Sequence, residues 1–201
     1  MLKSKALGTI FVERLCDISF IAILFVVSSF EVFGSVLPSF IIKAIITLLV
    51  IVAAAILVFL AIKMGKLPLQ KILPKKFVII YKNFQFAVSE SLNLRSLPKI
   101  IFSTFIIWSL EFLIFYFVTT SVNLKLNVFQ ILFVITMANI IVAIPITPSG
   151  LGLVEAGIAG VLILMGIEKN ISISVAILNN LINYWNQLIV GFFVYIKSKR
   201  S

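Results

Sequence analysis

Runs of about 20 apolar residues recur along the whole chain, and each can cross the roughly 30 Å hydrocarbon core of a bilayer as a helix. Within lipid every backbone N–H and C=O must be paired inside the segment that carries it. The sequence therefore predicts an all-α fold, a polytopic helical membrane protein. Charged residues make up 12% of the chain, about half the share of a soluble domain, and 62% of residues are hydrophobic. With 201 residues, the expectation is a single integral membrane domain, 1–201, without a separate soluble one.

The net charge of +10 sits mostly in loops and termini. Lys3 and Lys5, eight cations between Lys63 and Lys99, and three after Ile196 fall on one predicted side, against Lys125 and Lys169 on the other. The positive-inside rule accounts for this bias without nucleic acid and places both termini in the cytoplasm of a multi-pass cell-membrane protein. Cys16 is the one cysteine and there is no histidine. No intrachain disulfide, Ser-His-Asp or Cys-His catalysis, or His-based metal site can be built. No phosphate-cradling loop is present. The expectation is a protein without catalytic residues, metal or cofactor.

In chain order, a first helix spans Leu7 to Phe30. Glu13, Arg14 and Asp17 fall within an arc of about 100° on it, a charge cluster that implies pairing at the inner interface or inside the bundle. After the connection Glu31–Pro38, a second helix spans Ser39 to Ile62. The long loop Lys63–Lys99 follows. Within it Phe77, Tyr81, Phe84, Val88 and Leu92 recur at helical spacing opposite Lys82, Gln85, Ser89 and Asn93. That pattern predicts an amphipathic helix lying in the headgroup plane, either as an anchor or as a surface for a partner or anionic lipid. A third helix, Pro98–Val122, carries Glu111 near its centre without a Lys or Arg within a turn. An intramembrane carboxyl is a functional candidate by default.

A fourth helix, Asn127–Ile144, runs into Pro145-Ile146-Thr147-Pro148-Ser149-Gly150-Leu151-Gly152. Two prolines and two glycines in so short a stretch interrupt a helix. The interruption is either a tight turn between spanning helices or the bend of a re-entrant pair around residues 145–152, whose freed backbone groups would line a wet path. A short fifth helix, Gly152–Gly166, begins with Glu155 in its first turn. Gly152, Ala156 and Gly160 recur at every fourth position, which predicts a close helix contact on that side. By this reading Gly160→Leu is more disruptive than Leu162→Ala. After Glu168-Lys169-Asn170, a sixth helix, Ser172–Ile196, carries Asn179, Asn180, Asn183, Asn186 and Gln187, most of them on one broad face. These amides serve either as interhelical glue or as the lining of a polar path. Pro148, Gly150, Gly152, Glu155, Glu111, Asn180 and Asn183 are the substrate-path candidates.

Three stretches together resemble one family. Glu13-Arg14-Leu15-Cys16-Asp17 is similar to the Glu-Arg-x-x-Asp of the lysylphosphatidylglycerol synthase transmembrane, or flippase-like, family. Pro148-Ser149-Gly150-Leu151-Gly152-Leu153-Val154-Glu155-Ala156 resembles its Pro-Gly-Gly-Leu-Gly-x-x-Glu-Ala, and Asn180-Leu181-Ile182-Asn183-Tyr184-Trp185 its Arg-x-x-x-Tyr-Trp. Ser149 stands where the family usually has glycine, and Val154 and Asn180 where it often has arginine. The resemblance implies a membrane protein that handles lipids. Relatives form the flippase part of enzymes that make and move aminoacylated phosphatidylglycerol, or are associated with polyprenyl-linked sugars or hopanoids. The synthase activity belongs to a separate soluble domain. Family members carry further helices before the Glu-Arg-x-x-Asp helix, so a partner chain supplying those helices is a further expectation.

The leading reading is a translocase of a lipid or lipid-linked substrate, with membrane lipids, anionic or polyprenyl-linked, as partners. The alternative is a non-catalytic membrane subunit or scaffold for a lipid- or glycan-modifying enzyme. An integral transferase stands third, since no nucleotide or metal motif supports it.

Overall fold

The computed structural model describes residues 2–65, 75–93, 95–142 and 152–199, and every regular element among them is a helix. In chain order these are α1 (Leu2–Phe33), α2 (Ser39–Lys63), α3 (Lys75–Ser91), α4 (Leu97–Ser121), α5 (Val128–Val142), α6 (Leu153–Leu164) and α7 (Lys169–Lys199). The polytopic helical fold expected from hydropathy is present. The observed ends of α2 and α4 lie within one residue of the expected ones. Helices α1 and α7 extend further, by up to five residues at an end. Pro145, Pro148 and Gly150 lie outside the described residues.

Helices α2 and α4 are long and apolar enough to cross a membrane, and few of their residues are buried inside the protein. Their exposed isoleucines, leucines and phenylalanines form surfaces suited to acyl chains. Buried hydroxyls in these surroundings bond back along their own helix. Ser28 and Ser29 donate to the Phe25 carbonyl at 3.2 and 2.6 Å. Thr136 donates to Leu132 at 2.7 Å. No polar partner from elsewhere is then required.

The chain divides into two compact units, Met1–Ser109 and Leu110–Ser201. In the first, α3 packs along α1, and α2 packs against both. Buried Val12, Ile62 and Val88 meet at the centre, with Phe59, Phe84, Leu92 and Ile100 around them. Sequence periodicity lays α3 in the headgroup plane, as an anchor or as a surface for a partner or anionic lipid. Its Phe84 and Val88, and Leu92 just past its end, are turned toward protein. A bilayer and a protein core are both apolar, so an amphipathic pattern suits either.

Gly8 permits the approach of α1 to α3. A Cβ at that position would stand 2.7 Å from the Ala87 Cβ and 2.9 Å from the Phe84 carbonyl oxygen. Beside it the Ser91 hydroxyl lies 3.5 Å from that of Thr9. The same helix closes the end of α2. The Gln85 amide donates to the Ile62 carbonyl at 2.9 Å, and the Lys63 ammonium donates to the Leu92 carbonyl at 3.0 Å. The last carbonyls of a helix lack intrahelical partners, and here a side chain from the amphipathic helix supplies one.

In the second unit, α6 packs against α5 and α7. Helix α5 starts at a reciprocal capping box. The Asn127 N–H donates to Gln130 Oε1 at 2.9 Å, and the Gln130 N–H to Asn127 Oδ1 at 2.8 Å. Helix α6 has 12 residues, a rise of about 18 Å, which is well short of a bilayer core. It ends in a left-handed cap. Gly166 has φ 85°, and the Ile167 N–H reaches back to the Leu162 carbonyl at 3.0 Å. Among the described residues the close contact expected at Gly152, Ala156 and Gly160 is absent. Ala156 is exposed, and no described residue lies within 4 Å of a Cβ placed at Gly152 or Gly160. The approach occurs one position along from Ala156, at Gly157, whose Cβ would stand 3.5 Å from the Ala138 Cα. Bulky Val161 and Leu162 are buried, so the packed side of α6 is set by where large side chains can be covered.

Candidate functional site

Glu155 occupies the third position of α6 and is held from two directions. The Gly152 N–H donates to its Oε2 at 2.8 Å. Gly152 has φ 80°, a backbone conformation open chiefly to glycine, and it cannot supply the side-chain half of a capping box. The glutamate arm is therefore the side-chain contribution to this cap, and its charge sits at the favourable, positive end of the helix. Its other oxygen, Oε1, accepts a short hydrogen bond from the Asn180 amide on α7.

One turn further along α7, the Asn183 amide donates to Glu111 Oε1 at 3.2 Å. Glu111 lies near the middle of α4. Asn180 and Asn183 are three residues apart, so their side chains project from one side of α7. Two carboxylates from two different helices thus meet two amides on a third. Among the described residues no cation lies within ion-pair distance of either carboxylate. Asn179, beside Asn180, is 3% exposed, and its Oδ1 has no hydrogen-bond partner.

Four of the sequence candidates, Glu155, Glu111, Asn180 and Asn183, therefore join into two cross-helix pairs, with Gly152 contributing its N–H. Pro148 and Gly150 fall outside the described residues. Tyr184 and Trp185, the end of the third motif, are exposed on the outer surface of α7.

The cluster in α1 belongs to the first unit. Arg14 meets Asp17 at 3.4 Å, with the arginine side chain 73% exposed. An exposed pair of this kind contributes about 0–1 kcal/mol. Thr104 of α4, buried at 4% exposure, donates to the other Asp17 oxygen at 3.1 Å. Glu13 is exposed and stands outside this network. Sequence reading missed Thr104, because an isolated threonine in an apolar helix carries no periodic signal. It also gave Asn179 no role apart from its neighbours, since burial of one amide among five depends on which helices cover it.

A family model described as "Lysylphosphatidylglycerol synthase TM region" matches residues 1–191. The chain is similar to UPF0104 membrane protein MJ1078 of Methanocaldococcus jannaschii, 32% identical over 98% of this chain and 84% of that protein. It is also similar to UPF0104 membrane protein PH1989 of Pyrococcus horikoshii, 31% identical over 53% of this chain and 32% of that one. A UPF0104 membrane protein of Methanothermobacter thermautotrophicus is 23% identical over 49% of this chain and 30% of its own length. No solved structure matches the chain significantly.

Proposed function

The chain belongs to the lysylphosphatidylglycerol synthase TM-region family, and from that premise we propose that it translocates a lipid or lipid-linked substrate across the membrane. The observation that carries this reading is the Glu155 carboxylate, fixed between the Gly152 N–H and the Asn180 amide at the start of a short helix. A polar headgroup crossing a bilayer needs polar groups where lipid tails offer none. Glu155, Asn180, Asn183 and Glu111 provide such groups on three helices. Their balance is acidic, which suits a headgroup bearing an amine, zwitterionic or aminoacylated. A net-anionic or polyprenyl-phosphate headgroup would need cations from a partner chain. We read the protein as a transporter rather than an enzyme, and the sites as passage and orientation groups.

The test is a liposome assay with fluorescent phosphatidylethanolamine, an aminoacylated phospholipid and a polyprenyl-phosphate analogue. Wild-type protein is expected to move an amine-bearing lipid above empty liposomes. Glu155→Gln, which keeps the shape of the side chain but removes its charge, is expected to slow that movement about tenfold, the effect of losing roughly 1.4 kcal/mol of interaction with the cationic headgroup. Movement of none of these lipids, with folded protein, would favour the scaffold reading. Equal rates for wild type and variant would remove Glu155 from the path.

The orientation we propose puts both termini and the segment between α2 and α3 in the cytoplasm, because thirteen of the fifteen loop and terminal cations lie on that side. Single cysteines at Ser35, Gln70 and Ser198, in a Cys16→Ala background, are expected to react with an impermeant maleimide from outside at position 35 alone. External labelling at position 70 would invert the topology.

A further inference from the structure

We propose that the outward face of α3 seats on an anionic membrane surface, with Ile79 and Phe86 reaching the acyl chains and Lys82 meeting lipid phosphate. Two independent observations place it there. The first is depth. Helix α2 is long and apolar enough to cross a membrane, so its end at Lys63 marks a membrane surface. Helix α3 is fastened to that end. The Gln85 amide donates to the Ile62 carbonyl, and the Lys63 ammonium donates to the Leu92 carbonyl just past α3. A helix tied to the last carbonyls of a span lies at headgroup depth rather than out in water.

The second is the face itself. Ala87 and Val88 are buried, and Gly8 of α1 approaches α3 at Phe84 and Ala87. Ile79, Lys82 and Phe86 follow one another at spacings of three and four, on the opposite arc of the helix. There Ile79 is 64% and Phe86 54% exposed, and Lys82 is exposed between them. An arc turned to water carries polar residues at such positions. A lysine set between two large apolar residues fits the boundary of a bilayer instead, where its stem lies along acyl chains and its ammonium rises to the phosphates.

Charge selects the kind of surface. Eight lysines and arginines stand between Lys63 and Lys99 against one acid, Glu90, which shares the outward arc one turn after Phe86. Arg95 and Lys99, beyond the end of α3, are exposed as well. A basic excess beside a membrane is drawn to acidic phospholipids and gains little from zwitterionic ones. The face belongs to the first unit, and the proposal stands whether or not the protein moves lipid.

The experiment places an environment-sensitive fluorophore on Ile79→Cys in a Cys16→Ala background, with Ser35→Cys, in the exposed connection between α1 and α2, as the comparison. The whole protein is held in nanodiscs of phosphatidylcholine and phosphatidylglycerol in equal parts. Positions 79, 82 and 35 are exposed, so these variants keep the fold. At position 79 emission is expected to be shifted to the blue and shielded from iodide relative to position 35. Spin-labelled phosphatidylglycerol is expected to quench it about fivefold more than spin-labelled phosphatidylcholine, the weight of one lysine at an anionic surface. That preference is expected to vanish in Lys82→Glu, to persist in Lys82→Arg and to shrink as salt is raised. Iodide quenching equal to that at position 35 would put the face in water. Shielding from iodide and from both lipids would mean that protein covers it, a second copy included. Equal quenching by the two lipids, or a preference unchanged in Lys82→Glu, would remove the anionic recognition. Each of these results would overturn the proposal.

Discussion

Leucine in place of Gly8 is expected to lower the melting temperature in detergent by about 5–10 °C, the equivalent of roughly 2–3 kcal/mol. The reason is geometric. Any side chain at position 8 begins with a Cβ that would lie 2.7 Å from the Ala87 Cβ and 2.9 Å from the Phe84 carbonyl oxygen. Neither obstacle is the far end of a flexible side chain, so α1 and α3 must separate. Separation uncovers Val12 and Val88, both fully buried, and removes the Phe11–Phe84 edge-to-face contact at 5.7 Å. Gly191→Leu is the matched control, because no described residue lies within 4 Å of a Cβ there. Differential scanning fluorimetry of both variants decides it. Equal melting temperatures would mean that α1 and α3 are not packed as described.

Leu162→Ala is expected to destabilise the second unit by about 2 kcal/mol or more, while Gly160→Leu stays within about half a kcal/mol of wild type or gains slightly. Leu162 is fully buried, and truncation leaves a cavity. In a membrane protein part of the usual transfer term disappears, because the dissociated helix still lies in an apolar solvent. The lost packing contacts remain, which places the effect at the low end of the range for buried leucines. Among the described residues nothing lies within 4 Å of a Cβ at position 160, which sits inside a helix, where leucine is favoured over glycine. Small-residue spacing alone predicts the reverse order, so a thermal melt of the two variants separates the two accounts of how α6 packs.

Fold class and most helix ends were legible because lipid leaves so few options for the backbone. A run such as Ser39–Lys63 has to be a helix, and its ends fall where Pro38 and Gly65 interrupt it. The carboxylates and amides were legible as candidates for the same reason: each polar group in an apolar helix stands out. Their pairing was not. Nothing local in the chain says that Glu155 meets Asn180 while Glu111 meets Asn183, since those contacts depend on the azimuth at which α6 and α4 approach α7. The stripe on α3 was found, but its partner was not, because periodicity reports that a face is apolar and not what covers it. Gly8 was invisible, as a single glycine without a repeating neighbour has no spacing to read. Gly157 was hidden by the more regular series beside it.

The contact between Thr9 and Ser91 joins residues 82 positions apart. A ribosome adds about 5–20 residues each second, so α1 is complete for roughly 3–12 seconds before the helix that covers it has been made. During that interval the N-terminal part of α1, with Gly8 bare and Val12 uncovered, has to be sheltered by lipid, the insertion machinery or a chaperone. The contacts between α3 and α1 can thus form only when synthesis is nearly halfway along the chain.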